Sequence, residues 1–161
     1  MKRMPLKWSF LIFTVFLSIT SSASSCKKDD NYITNEGNTG NDNMTNSKII
    51  IKVNSKSFTA TLLDNSSAKA FKELLPLTIN MIELNGNEKY FDLSKNLPAN
   101  SSNPETIQNG NLMLYGSETL VLFYKTFTTS YSYTRLGKVN DATALASALG
   151  SGNVTVTFEL E

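Results

Sequence analysis

The chain has 161 residues, with 15 basic and 14 acidic side chains and a formal net charge of +1. Three of the basic residues, Lys2, Arg3 and Lys7, fall within the first 25 positions, so the remainder carries 12 against 14, net −2, and shows no electrostatic footprint for nucleic acid. It has no histidine and one cysteine, which excludes histidine metal sites, Ser-His-Asp triads, Cys-His dyads and internal disulfides.

Residues 1–8 hold the three positive charges, and Ser9 to Ile19 is an apolar run. Small residues follow from Thr20 to Ser25, and then comes Cys26. This order is a secretory signal, residues 1–25, whose apolar run is short of the ~20 residues a transmembrane helix needs. Ala23-Ser24-Ser25-Cys26 resembles a bacterial lipoprotein signal, although Ala23 stands where leucine is commonest. Ala23 and Ser25 would also suit ordinary signal peptidase cleavage, leaving a free thiol. A lone thiol at the junction is otherwise unexplained, so Cys26 is read as the lipidation site and the membrane as a partner through that lipid. The resemblance implies a bacterial cell envelope address, as an outer membrane lipoprotein. Lys27-Lys28-Asp29-Asp30 resembles the charged tag that Bacteroidetes-type lipoproteins use for surface display, and reads equally well as a solvated tether. Asn31 to Ser47 is rich in Asn, Gly and Thr with little to bury, so it cannot offset its ordering entropy, and residues 26–47 are expected to be the lipidated cysteine and a flexible tether.

Residues 48–161 leave enough chain for one modest core. Ile49–Val53 is a β-branched run, and Ser57–Leu63 alternates with Phe58, Ala60 and Leu62 on one face, which predicts a hairpin. Asp64–Leu75 switches to helical period, with N-cap candidates at Asp64, Asn65 and Ser66 and a stripe of Ala68, Phe71, Leu74 and Leu75. Leu77–Leu84 and Asn87–Leu93 are strands joined at Asn85-Gly86, a short hairpin signal because both residues tolerate positive φ. Ser94–Asn109 reads as a long polar loop.

Asn111–Tyr115 and Thr119–Lys125 form a further hairpin, and Leu120–Tyr124 is apolar on both faces, so both should be covered. Thr126–Ser132 reads as a loop and Tyr133–Val139 as a strand. Asp141 is placed as the cap of a helix over Ala142–Leu149, and Asn153–Leu160 closes the chain as a strand. Eight strands in hairpins favour closure, which removes sheet edges. The expected fold is mainly β: a closed antiparallel eight-stranded barrel with two short capping helices.

That element order is similar to the cyclophilin-like barrel. Gly86-Asn87-Glu88-Lys89-Tyr90-Phe91 resembles the Gly-[Asp/Asn]-Glu-x-Tyr-Phe of the compact bacterial cyclophilin-like family. Gly110-Asn111-Leu112-Met113-Leu114-Tyr115 resembles that family's Gly-Asp-Leu-x-Tyr turn, departing at Asn111 and in the spacing to the tyrosine. The resemblance spans nearly all of residues 48–161. The Phe-His-Arg and Gln-Gly-Gly-Asp-Phe segments of true cyclophilin isomerases do not occur.

The candidate ligand-binding residues are Glu88, Tyr90, Tyr131, Tyr133 and Arg135. Aromatic rings with a guanidinium fork suit a peptide, a glycan or another small-molecule ligand. The competing reading makes Glu88 and Arg135 a structural ion pair and the tyrosines ordinary strand residues. Glu88 and Asp92 share a strand face and could form a carboxylate pair, but an exposed face explains them better. No phosphate loop, dinucleotide fingerprint, metal set or other cofactor motif occurs. The expectation is an envelope-anchored, non-catalytic binding or interaction module. The alternative is a divergent peptidyl-prolyl cis-trans isomerase.

Overall fold

The computed structural model describes residues 47–161. The signal, Cys26 and most of the tether therefore lie outside the described residues. Ten strands and two helices follow in chain order: β1 (Lys48–Val53), β2 (Lys56–Leu62), α1 (Ser66–Lys72), β3 (Leu77–Leu84), β4 (Glu88–Asp92), β5 (Thr106–Ile107), β6 (Asn111–Tyr115), β7 (Thr119–Phe123), β8 (Phe127–Thr128), β9 (Thr134–Val139), α2 (Leu145–Leu149) and β10 (Val154–Leu160). Eight of the strands close into an antiparallel barrel in the order β1-β10-β3-β4-β7-β6-β9-β2. The eight expected strands are these eight.

Alternation decides what the barrel encloses. Ile49, Ile51 and Val53 of β1, Phe58, Ala60 and Leu62 of β2, and Val156 and Phe158 of β10 are all buried in one central core. Burying an aliphatic or aromatic side chain of this kind contributes about 1.5–3 kcal/mol. Helix α1 joins β2 to β3 at one end, where Phe71 packs edge-on against Phe158 at 5.6 Å between centroids. Asn65 is its N-cap, accepting a hydrogen bond from the Ala68 amide at 2.8 Å. Helix α2 sits at the opposite end between β9 and β10, burying Leu145, Ala148 and Leu149. Its N-cap is Ala144 rather than Asp141. The Asp141 carboxylate instead accepts from the Thr143 amide at 3.0 Å, so it organises the turn that precedes the helix.

Gly137 shows how tightly β9 and β2 approach. A Cβ there would sit 2.5 Å from the Thr61 carbonyl oxygen, a distance no side chain tolerates. One residue away, β9 bulges against β6: Leu112 faces Gly137 while Met113 faces Arg135. The extra residue, Leu136, is fully buried in the central core.

Two stretches read as loops differ from expectation. Residues 94–109 and 126–132 each contribute a short strand, β5 and β8, which pair with each other as Thr106↔Thr128 and Ile107↔Phe127. A further bridge joins Ser102 to Tyr133. Two residues are too few to show a period, so nothing in the sequence marks them. This small sheet lies over the outside of the barrel. Ile107, Met113, Val121, Phe123 and Tyr133 form a second core between the two layers, flanked by Tyr90 and Phe127. The doubly apolar Leu120–Tyr124 is thereby covered on both sides, with Leu120, Leu122 and Tyr124 in the inner core and Val121 and Phe123 in the outer one.

Candidate functional site

The β3–β4 turn sets the site. Asn85 and Gly86 both have positive φ, 55° and 68°, as their identities favour. The connection spans three residues, however, not two. Leu84 pairs with Glu88 and Glu83 with Lys89, so β4 begins at Glu88 instead of Asn87. Glu88 and Tyr90 then face outward while Lys89 and Phe91 face the barrel interior.

On the outer wall a cleft of about 430 Å³ opens between this turn and the segment around β8. Leu84, Asn85, Asn87 and Glu88 form one side. Val121 forms part of its floor, and Phe127 to Tyr131 with Tyr133 and Tyr115 form the other side. The rings make a connected wall. Tyr131 meets Tyr115 edge-on at 6.1 Å, Tyr115 meets Tyr133 at 5.7 Å, and Tyr133 meets Phe123 edge-on at 5.4 Å. Such contacts hold ring positions, each adding about 0.5–1.5 kcal/mol beyond burial. Leu84, Tyr115 and Tyr131 are 40, 49 and 62 % exposed, so half of the six large exposed apolar side chains among the described residues border this one cleft.

Glu88 is the charged residue of the lining, only 9 % exposed. Among the described residues no hydrogen bond or ion pair reaches its carboxyl. Burial, reinforced by the nearby Glu83 charge, pushes it up to about 7. The Tyr133 phenol is also raised, first by burial and then by the charge of Glu88. Beside Glu88, the Asn87 Oδ1 is buried without a donor.

Of the five candidate residues, Glu88, Tyr131 and Tyr133 meet at this cleft. Tyr90 does not line it. It packs half-buried against the outer core two residues further along β4. Arg135 does not line it either, and the suggested Glu88–Arg135 pair is not formed. Strands β7 and β6 stand between β4 and β9, and three strand spacings of ~4.8 Å put ~14 Å between them. The Arg135 side chain is exposed on β9, and its carbonyl accepts from Asn65 Nδ2 at 2.9 Å. Leu84, Asn87, Tyr115 and Phe127 were not singled out from the sequence. Their readable signal was turn position for the first two and aromatic identity for the others.

A second polar cluster lies inside the barrel, at the end closed by α2. The Lys89 ammonium is fully buried and pairs with Glu83 Oε2, while also donating to the carbonyls of Gly150 at 2.9 Å and Gly152 at 2.6 Å. The Tyr124 hydroxyl donates to both Glu83 oxygens at 2.8 Å, and its ring lies 5.3 Å from the Lys89 Nζ. Burial works against the Glu83 charge, but these donors and the Gly86 amide outweigh it and hold the carboxyl below its ordinary range. Burial and then the Glu83 hydrogen bond push the Tyr124 phenol up. Every strong donor here has an acceptor, so this cluster closes the barrel end and offers no vacancy. Continuing the inward series Leu77, Ile79, Met81 by one more step to Glu83 would have flagged it.

Among the described residues no group of three or more potential ligands could hold a metal ion, and no helix is long and apolar enough to cross a membrane. The sequence profile of the cyclophilin-like family matches residues 51–159. The solution structure of the hypothetical protein AF2241 from Archaeoglobus fulgidus is similar in fold, with a TM-score of 0.51 at 14% identity over 72% of this chain and 95% of that one. No curated protein matches.

Proposed function

Because the chain belongs to the cyclophilin-like family, a fold that does not by itself dictate a reaction, we propose that it is a non-catalytic binding module whose ligand enters the outer cleft. The observation that carries this reading is the concentration of exposed Leu84, Tyr115 and Tyr131 around a concave site with a buried acid. Exposed apolar side chains scattered singly need no explanation, but gathered at one concavity they mark a contact surface. Rigid aromatic walls with serine and threonine hydroxyls suit a peptide segment or a glycan.

Isomerase chemistry would need a donor that contacts the twisting amide more strongly in the transition state than in the ground state. The cleft lining carries no arginine, lysine or histidine, and Arg135 stands outside it. In this reading the protein works from the bacterial envelope, held by lipid on Cys26, with residues 27–47 as spacer.

The test is titration of the purified full-length chain with a panel of envelope peptides and oligosaccharides, followed by tyrosine emission. Tyr131→Ala and Tyr115→Ala are expected to weaken a hit while leaving the melting transition in place. Identical affinity in both variants removes the cleft from the function. Acceleration of proline cis/trans exchange by the same preparation would replace binding with catalysis. Fatty-acid labelling of cells should mark the wild type and not Cys26→Ala; label kept by the variant removes the anchor.

A further inference from the structure

The cleft holds a buried acid and no cationic side chain in its lining. Glu88 is more than nine-tenths buried, lines the cavity, and receives no hydrogen bond from any described residue. The neighbouring Asn87 adds a buried Oδ1 that also lacks a donor. The groups facing Glu88 from the surrounding elements do not compensate its charge. Glu83 on β3 is itself acidic, and Tyr124, Tyr133, Tyr115 and Tyr131 are phenols. Lys89, its neighbour on β4, points to the opposite face, where Glu83, Gly150 and Gly152 occupy its ammonium. Lys125 sits exposed beside Gly86 at the tip of the turn, and forms no ion pair with Glu88. Removing one partner from a buried charge is costly, so a buried carboxyl with no partner in the folded chain points to a partner supplied from outside.

We propose that the cleft binds an alkylammonium group, a primary amine on an apolar stem, with Glu88 as its counter-charge and the Tyr115–Tyr131–Tyr133 rings as its wall. This rests on the binding reading above and names the ligand class for the same site. A primary ammonium is compact and brings three N–H donors together with the positive charge that the lining lacks. Its stem packs on the rings, and the ring faces attract the cation. A quaternary ammonium would satisfy the rings and not the acceptors. A sugar would supply donors and no charge.

Protons must balance. With its carboxyl pushed to about 7, Glu88 carries a proton for part of the time near neutrality. The amine pairs with the ionised form, so binding releases that proton to solvent. Affinity therefore rises as pH increases through about 7 and falls as pH drops towards the ordinary carboxylate range.

The experiment titrates the full-length chain with three probes: N-acetyl-lysine methylamide, its uncharged counterpart N-acetyl-norleucine methylamide, and a neutral N-acetylglucosamine disaccharide. The lysine probe should bind roughly tenfold or more tightly than the norleucine probe, as a desolvated charged hydrogen bond requires. Glu88→Gln should erase that ratio and its pH dependence. Equal binding of the two amino-acid probes overturns the amine assignment and leaves the cleft as a site, as does a disaccharide bound better than the lysine probe. Binding of none of the three overturns the amine assignment too, and the envelope panel then decides the wider reading separately. If Glu88→Gln does not fold, the wild-type ratio and its pH profile decide alone.

Discussion

Glu88 and Lys89 are adjacent in sequence and opposite in circumstance. Lys89 points into the barrel end, where one carboxylate and two backbone carbonyls take its three donors. Glu88 points outward into an aromatic cleft and meets no donor at all. Both are buried, but only Lys89 recovers its desolvation cost inside the fold, while Glu88 meets that cost by holding its proton up to about 7. A satisfied buried ion cluster is architecture. An unsatisfied buried acid on the wall of an open cleft is a vacancy.

The sharpest way to break this contrast is Lys89→Met, which takes the cation from Glu83 and leaves it only the Tyr124 hydroxyl and the Gly86 amide. It should cost about 3–5 kcal/mol in urea unfolding, and adding Glu83→Leu should recover much of that. A Lys89→Met protein of unchanged stability would mean the inner cluster is not structural. Tyr124→Phe removes one donor to Glu83 and keeps the ring, so a loss of about 1.5–3 kcal/mol is expected by the same melts. No loss would show that Lys89 alone satisfies Glu83.

Glu88→Gln should go the other way. The Glu88 carboxyl is raised from 4.5 to about 7 in the fold, so its protonated form is favoured there. Its contribution to stability is complete below the unfolded value and is lost as pH rises through about 7. The glutamine variant should therefore match the wild type in mild acid and exceed it by roughly 1–2 kcal/mol in mild alkali. Glu83, held low, has the reverse sign: its contribution is present above 4.5 and is lost as pH falls through its depressed value. Parallel stability–pH curves for wild type and Glu88→Gln would remove the strain assigned to Glu88. The smallest effect belongs to Arg135→Lys. An exposed side chain off the cleft should change stability by no more than ~0.5 kcal/mol and leave affinity for any cleft ligand intact. A loss of affinity there would extend the site to β9.

Much of this molecule was legible from residue order. Alternation in Ser57–Leu63 named the inward face of Phe58, Ala60 and Leu62, and the apolar Leu120–Tyr124 announced a strand covered on both sides, because side-chain period and burial are local consequences of strand geometry; at the chain end the same alternation fails, since Leu160 is 53% exposed. The tyrosines near β8 and Glu88 could be nominated from type and position. What only the tertiary structure decided was pairing. A two-residue turn at Asn85-Gly86 would have set Glu83 opposite Glu88, two carboxylates on one face. The three-residue turn sets Glu83 opposite Lys89 and sends Glu88 to the other side, since a shift of one residue exchanges the faces of a strand. Strand order did the rest. It separated Glu88 from Arg135 by two strands and brought residues 127–133 over β7, joining side chains some 40 positions apart in the chain. No local pattern encodes such distances. They follow from how the barrel closes.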